Sequence, residues 1–107
     1  MKLHAVPVED LCPLVEYADD YPGLADLYAD LDKRGMLHPI VAYRCTAEHY
    51  NRRSRCAEPA PTFSVLAVKF GNQRLKWARA RGLRRVPVVM ADCEGSAVRV
   101  AKALGIK

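Results

Sequence analysis

The chain has 107 residues, of which 50% are apolar and 27% are charged, and its formal net charge is +5. This length suits one domain with one core. No stretch approaches the roughly 20 consecutive apolar residues of a membrane helix, and the first residues lack the apolar segment and cleavage site of a signal peptide. The sequence therefore predicts a cytoplasmic protein with no membrane partner.

The charge is divided unevenly along the chain. Residues 1–32 contain one lysine and eight acidic residues, a net charge of −7, whereas residues 33–107 carry a net charge of +12. This asymmetry indicates either an anionic partner for the basic part or self-association between unlike surfaces. The alternative is that the acidic segment folds back and neutralises the rest.

Four cysteines are widely spaced, at Cys12, Cys45, Cys56 and Cys93. In a chain with no export signal they are expected to be free thiols. Cys45, His49 and Cys56 have the right chemistry for zinc, but their spacing fits no common zinc module, so no metal site is predicted.

The first half of the chain predicts a strand and then a helix. Residues 3–8 are rich in β-formers, and Pro7 indicates a strand end or an edge strand. Apolar residues then recur at the spacing of an amphipathic helix, at Leu24, Leu27, Tyr28 and Leu31. Pro22 is expected in the first turn of this helix, and Gly35 is expected to end it.

The second half predicts three strands, at residues 40–43, 62–70 and 85–90. Residues 45–61 are polar, basic and proline-bearing, which predicts a surface loop inserted in the domain. A helix is expected between the turn at 71–74 and Gly82, and a last helix is expected with Ser96 as its N-cap. This order predicts one α/β (α+β) domain over residues 1–107, with a mixed sheet and about three helices.

The turn at residues 71–74, Gly-Asn-Gln-Arg, joins a predicted strand to a helix and suits a phosphate. Gly71 allows a tight turn and close approach of a ligand. The first N–H groups of a helix lack partners within it, and the helix dipole favours an anion beside them. Arg74 adds a guanidinium that can bind two phosphate oxygens, while Asn72 and Gln73 add amide donors. Strand–glycine–helix junctions are also common in proteins that bind no anion.

Three segments together point to a known family. Residues 35–41, Gly-Met-Leu-His-Pro-Ile-Val, match a helix that ends at glycine and leads into a Gln-Pro-Ile-Val-Val strand. Residues 71–78, Gly-Asn-Gln-Arg-Leu-Lys-Trp-Ala, match a Gly-Glu-Arg-Arg-x-Arg-Ala box and its Gly-x-His-Arg variants. Residues 81–89 match the sequence that follows this box, in which the helix is followed by Gly-Leu, two variable residues and Val/Ile-Pro-Val. In this order the segments resemble the N-terminal domain of ParB-type proteins, in the ParB/sulfiredoxin superfamily.

The resemblance implies a nucleotide site, with CTP or ATP as the expected ligand and Mg²⁺ accompanying it. By position, the phosphates would lie at Gly71, Asn72, Gln73 and Arg74, with Gly35, His38 and Pro39 near the other wall. Asn72 and Gln73 depart from the family's Glu-Arg pair, which allows weaker binding, another base preference or loss of the site. Asn72 also occupies the position of the sulfiredoxin cysteine, so sulfinic-acid repair is not expected.

The resemblance also implies the setting of the protein. Small stand-alone members of this superfamily are typical of phages, plasmids and mobile elements, so a phage protein in the host cytoplasm is expected. The helix-turn-helix and dimerisation domains of ParB-type proteins have no counterpart in these 107 residues.

Nucleic-acid binding is the main alternative function. The candidate phosphate contacts are Arg44, Arg52, Arg53, Arg55, Lys76 and Arg81, with Trp77 as a stacking platform. A solvated basic loop explains the arginines equally well, and a large aromatic such as Trp77 is more often packed inside. The sequence also leaves open a ParB-like nuclease or a slow NTP hydrolase.

The acidic residues near the first helix allow two interpretations. Asp19, Asp20, Asp26 and Asp30 offer oxygen ligands for Mg²⁺. Helix capping and solubility explain them more simply, and no catalytic residue is assigned.

Overall fold

The computed structural model describes residues 3–55 and 64–106, which form one mixed sheet flanked by helices. The strands are β1 (Leu3–Pro7), β2 (Leu11–Pro13), β3 (Ile40–Thr46), β4 (Ser64–Phe70) and β5 (Arg85–Ala91). The helices are α1 (Leu24–Arg34), α2 (Ala47–Arg53), α3 (Asn72–Ala80) and α4 (Glu94–Ala103), with a 3₁₀ turn at Val8–Asp10. The predicted α+β class with a mixed sheet is confirmed.

The strands lie in the order β1-β5-β3-β4-β2. The central pair β3 and β5 is parallel, as are β2 and β4, whereas β3–β4 and β1–β5 are antiparallel. Because β3 and β4 are antiparallel, the end of β4 lies beside the start of β3, with Val41 opposite Phe70. The turn at 71–74 therefore lies next to the segment that leads into β3.

Side chains alternate between the two faces of the sheet, and each face has its own core. One core joins α1 and α3 to the strands through Leu31, Leu75 and Trp77. The other joins α2 and α4 to the opposite face through Tyr50, Ala97 and Ala101. The domain therefore has three layers, with the sheet in the middle.

The prediction of a loop over 45–61 is wrong where it covers residues 45–53. Residues 45 and 46 extend β3, and the Thr46 hydroxyl accepts a hydrogen bond from His49 N at 3.1 Å, which caps α2. Tyr50 anchors this polar helix, since it is 3% exposed and donates its hydroxyl to Pro13 O at 2.6 Å. Residues 56–61 of the predicted loop lie outside the described residues.

Three further details differ from the sequence-based expectations. β2 was not expected, because its three residues form too short a pattern to recognise. Pro22 precedes α1, whose N-cap is Gly23 at φ +83°. The N-cap of α4 is Cys93, whose sulfur accepts from Ser96 N, so Ser96 lies inside the first turn. Gly35, at φ +74°, ends α1 as predicted.

None of the helices in the described ranges is both long and apolar enough to span a membrane.

Candidate functional site, a cleft at the start of α3

A cleft of about 210 Å³ opens where β4 ends and α3 begins. Its walls are residues 69–74 together with Tyr17 from the loop before α1 and Leu27 from α1. All four residues of the predicted phosphate turn line this one cleft. The turn, Tyr17 and Leu27 therefore form one concavity, in which the phosphate site remains a prediction.

Gly71 sets the path of the backbone at the floor of the cleft. Its φ is +99°, in the left-handed region that disfavours side chains. A Cβ atom here would lie 3.0 Å from Ile40 Cγ1 and 3.3 Å from Ile40 Cα. Both the conformation and the close approach of β3 favour glycine at this position.

Arg74 supplies the positive charge of the cleft. A Cβ on Gly71 would lie 3.3 Å from Arg74 Nη1, so the guanidinium folds back over the Gly71 turn. The side chain is half-buried, and this burial lowers the pKa of Arg74. Within the described residues Arg74 takes part in none of the ion pairs. A desolvated guanidinium that lacks a carboxylate is well suited to bind an incoming anion.

The backbone at the first turn of α3 also favours an anion at this position. The helical hydrogen-bond ladder begins with Leu75 N donating to Gly71 O at 2.8 Å. The amides of residues 72–74 precede that ladder, and these are the groups that helix starts present to anions. The helix has nine residues, so its dipole adds a favourable field.

Asn72 holds the turn in place. Its Oδ1 accepts from Leu14 N at 3.1 Å, and its Nδ2 donates to Val68 O at 3.1 Å. This amide thus joins the segment after β2 to β4. The sequence suggested a phosphate donor at Asn72, whereas its contacts are with the backbone. Gln73 also lines the cleft.

The second predicted wall comprises Gly35, His38 and Pro39. Gly35 ends α1, His38 is exposed and Pro39 is partly buried. Pro39 immediately precedes Ile40, the residue that contacts Gly71. None of the three is among the residues that line the 210 Å³ cleft itself. They belong to the segment between the end of α1 and the start of β3.

A polar cluster on the other face of the sheet reaches the same cleft. Glu94, at the start of α4, accepts a hydrogen bond from Tyr43 Oη at 3.3 Å. Its carboxylate also lies 3.1 Å from Arg53 and 3.7 Å from Lys69 Nζ. His49 Nε2 lies 3.3 Å from the same Tyr43 hydroxyl. Burial, with Glu94 nearby, raises the pKa of Tyr43, which therefore stays protonated as a donor.

Sequence reasoning missed this cluster because its members are far apart in the chain. Lys69 is the exception, since it lies two residues before Gly71 and lines the cleft. A lysine that ends a strand beside a phosphate turn was a usable signal.

Asp32 joins α1 to α3 and accepts hydrogen bonds from two of the residues that were predicted to contact nucleic acid. Arg81 donates to both carboxylate oxygens, at 2.8 and 2.7 Å, and Trp77 Nε1 donates to Oδ1 at 2.9 Å. These bonds hold the pKa of Asp32 at about 2. Trp77 is only 8% exposed, so the ring is packed in the core and is not an open stacking platform.

The other candidate nucleic-acid residues are dispersed. Lys76 pairs with Asp19 at 2.9 Å and Arg53 with Glu94. Arg44, Arg52 and Arg55 are exposed, on β3 and near the end of α2. The structure does not bring the whole predicted set to one surface.

A second and larger concavity collects other arginines. This cleft of about 640 Å³ lies between the end of β1 and the C-terminal end of α3, and Arg79, Arg84 and Arg85 line it with Glu9. Arg79 and Arg85 donate to the carbonyls of Leu11 and Ala5, at 2.8 and 3.1 Å. Within the described ranges none of the three arginines pairs with a carboxylate.

No group of metal-binding side chains occurs in the described part of the chain. Asp19, Asp26 and Asp30 therefore do not form a shared site there, and Asp30 pairs with Arg34. Cys45 and Cys93 are free thiols, as expected, while Cys56 lies outside the described residues. Burial raises the pKa of Cys45.

The three-layer fold is similar to the folds of two solved structures, a ParB protein and a sulfiredoxin. A C-terminally truncated chromosome-partitioning protein ParB from Caulobacter crescentus, complexed with CTP-gamma-S, matches 100% of this chain with a TM-score of 0.62 and 18% identity. A sulfiredoxin from Arabidopsis thaliana matches 94% of it with a TM-score of 0.57 and 12% identity. The resemblance seen in the sequence is thus confirmed for the fold.

This chain corresponds to about half of the ParB chain but to nearly all of the sulfiredoxin chain. The match spans 55% of the ParB chain and 96% of the sulfiredoxin chain. No family model matches the sequence. The search of curated proteins also gave no match.

Proposed function

We propose that this chain is a nucleotide-binding accessory or switch domain that holds the phosphates of a nucleoside triphosphate at residues 71–74. The observation that carries the proposal is Arg74, a half-buried guanidinium that folds over the Gly71 turn and forms no ion pair with the described residues. Leaving a buried charge unmatched is costly. A bound phosphate would supply the missing negative charge.

The comparison with ParB suggests which nucleotide to test first. The ParB structure that shares this fold is complexed with CTP-gamma-S, so CTP precedes ATP as a candidate. Mg²⁺ would enter with the nucleotide phosphates, because it needs few protein ligands when phosphates supply the others.

The test is isothermal titration of the folded chain with CTP, ATP, GTP and UTP, with and without Mg²⁺. Arg74→Ala is expected to weaken the binding of the preferred nucleotide about 10- to 100-fold, the effect of losing a hydrogen-bonded charge. Arg84→Ala is the matched control, since Arg84 is exposed and lines the other cleft. Equal losses in the two variants, or no binding at millimolar nucleotide, would contradict the proposal.

Hydrolysis is a separate proposal on the same site. Slow release of inorganic phosphate from the bound nucleotide with Mg²⁺, lost in Arg74→Ala, would assign an NTP hydrolase. Binding without phosphate release would assign a switch or accessory domain instead.

A second candidate function, nucleic-acid binding, is favoured by the cleft lined by Arg79, Arg84 and Arg85. Three arginines without carboxylate partners among the described residues give this groove a net positive charge despite Glu9. A phosphodiester backbone is a polyanion that such a groove would attract. Binding to a DNA duplex that weakens steeply with salt, and that Arg84→Ala reduces, is the expected result.

A further inference from the structure

We propose that Lys69 is a second phosphate-binding cation of the cleft and that Glu94 competes with the bound phosphate for it. This inference rests on the proposed function, because it concerns the same cleft. Lys69 lines that cleft beside Gly71 and Arg74. Its side chain is 31% exposed, so the ammonium can reach a ligand.

The contacts of Glu94 show why Lys69 is the cation that can be released. Glu94 lies closest to Arg53, at 3.1 Å, and accepts a hydrogen bond from Tyr43 Oη at 3.3 Å. The distance to Lys69 Nζ is 3.7 Å, beyond the usual range of an N–H···O hydrogen bond. Of the two cations beside this carboxylate, Lys69 is the more weakly held.

This arrangement lets the ammonium change partner at small cost. When Lys69 turns toward a phosphate, Arg53 and Tyr43 still satisfy the carboxylate of Glu94. The carboxylate is therefore not left as an unpaired, partly buried charge, which would be the expensive outcome. The phosphate in turn is bound by two cations from two elements, Lys69 at the end of β4 and Arg74 in α3. Such a pair favours a multiply charged phosphate ligand.

The inference makes opposite predictions for the two partners. Lys69→Gln removes the cation and is expected to weaken phosphate binding about tenfold. Glu94→Gln keeps the shape of the side chain but removes the competing charge, and is expected to tighten binding about threefold, the scale of a partly exposed ion pair. In the double variant the gain should vanish, because Lys69 is no longer present to be released.

Matched controls separate this mechanism from a general effect of charge. Glu48→Gln neutralises an exposed glutamate in the first turn of α2, the same kind of position that Glu94 occupies in α4. Lys102→Gln neutralises an exposed lysine in the last turn of α4. Both should leave the affinity within about twofold of the parent, since neither side chain lines the cleft.

The measurement is calorimetric affinity for CTP and, separately, for inorganic triphosphate, with circular dichroism as the check on folding. If triphosphate binds with the predicted order of variant affinities and CTP does not bind, the result would support the role of Lys69 and contradict the nucleotide proposal. CTP binding that Arg74→Ala abolishes and Lys69→Gln leaves intact would overturn this inference alone. An equal gain from Glu94→Gln in the presence and absence of Lys69 would also overturn it. Failure of both probes to bind would overturn the inference and the proposed function together.

Discussion

The backbone at Gly71 has a φ of +99°, and β3 passes so close that an added Cβ would lie 3.0 Å from a side-chain atom and 3.3 Å from the Cα of Ile40. Gly82 provides the comparison, because its φ is +70° and an added Cβ there would meet nothing within 4 Å. The two glycines share the strained conformation and differ in the close contact. They therefore allow the two costs to be separated.

We expect Gly71→Ala to lower the free energy of unfolding by about 2–4 kcal/mol, the sum of a left-handed conformation and an overpacked contact. Gly82→Ala should cost only about 1–2 kcal/mol, since only the conformational cost applies. Urea unfolding of both variants and the parent measures the difference. Equal losses would show that Ile40 moves aside and that the approach of β3 does not require glycine.

At the residue scale, the sequence predicted the positions of the cleft better than the role of each side chain. Glycine is expected where φ is positive, and arginine supplies a cation, so the residue types alone indicated the roles of Gly71 and Arg74. Both residues line the cleft. Asn72 was expected to donate to a phosphate, yet it binds Leu14 N and Val68 O. That role depends on a segment 58 residues away, which local sequence does not reveal.

Besides the hydrophobic core, one carboxylate links α1 to α3 through hydrogen bonds. Asp32 accepts two hydrogen bonds from Arg81 and one from Trp77, and together they hold its pKa at about 2, below the usual 3.8. A carboxyl group with a lowered pKa in the folded state stabilises the fold above its unfolded pKa and loses that contribution on protonation. This part of the stability should therefore be present above about pH 4 and fall as the pH drops toward about 2.

Asp32→Asn is accordingly expected to destabilise the chain at pH 7 and to have little further effect near pH 2. Trp77 is the only tryptophan in the chain, so its fluorescence reports unfolding directly beside the substituted group. Urea midpoints of the parent and the variant at pH 7, 4 and 2 provide the comparison. Asp20→Asn, an exposed position in the loop before α1, is the control. A difference between parent and Asp32→Asn that is constant over this pH range would show that the ionised carboxylate is not what matters.

At the scale of elements, the sequence predicted segments whose apolar residues recur at a regular spacing. It did not predict short segments that are held in place by one or two contacts with distant residues. α1 repeats its apolar residues at helical spacing and ends at a glycine, so its last residue is where the pattern placed it. α2 has one buried side chain, Tyr50, in seven residues, and its polar composition therefore resembled a loop. β2 is only three residues long, and neither its pairing with β4 nor the burial of Leu11 can be recognised from so short a pattern.

For the molecule as a whole, the structure favours the neutralisation interpretation of the uneven charge. Two residues of the acidic segment, Asp19 and Asp32, form ion pairs with Lys76 and Arg81 of the α3 region. The cleft lined by Arg79, Arg84 and Arg85 is a concentration of positive charge that these two ion pairs do not neutralise. Ion pairing with the acidic segment thus determines which basic side chains remain available to contact a polyanion.

If that cleft binds a DNA duplex, the logarithm of the affinity should fall linearly with the logarithm of the salt concentration. Each phosphate contact contributes about 0.9 to the slope, so Arg84→Ala combined with Arg85→Ala should reduce its magnitude by roughly 2. Fluorescence anisotropy of a labelled duplex at several salt concentrations measures the slope. Arg52→Ala, at an exposed arginine in the last turn of α2, controls for the loss of positive charge. An unchanged slope in the double variant would place the DNA contacts elsewhere.

The pairing of β1 with β5 also affects how the chain assembles. Leu3 lies opposite Val89, so an edge strand from the start of the chain has its partner more than 80 residues later. Closing so long a segment carries a large entropic cost before the contact is gained, and folds with such pairings assemble slowly. During synthesis the first strand must wait until β5 has left the ribosome. β1 therefore emerges unpaired, and the synthesis of β5 allows it to join the sheet.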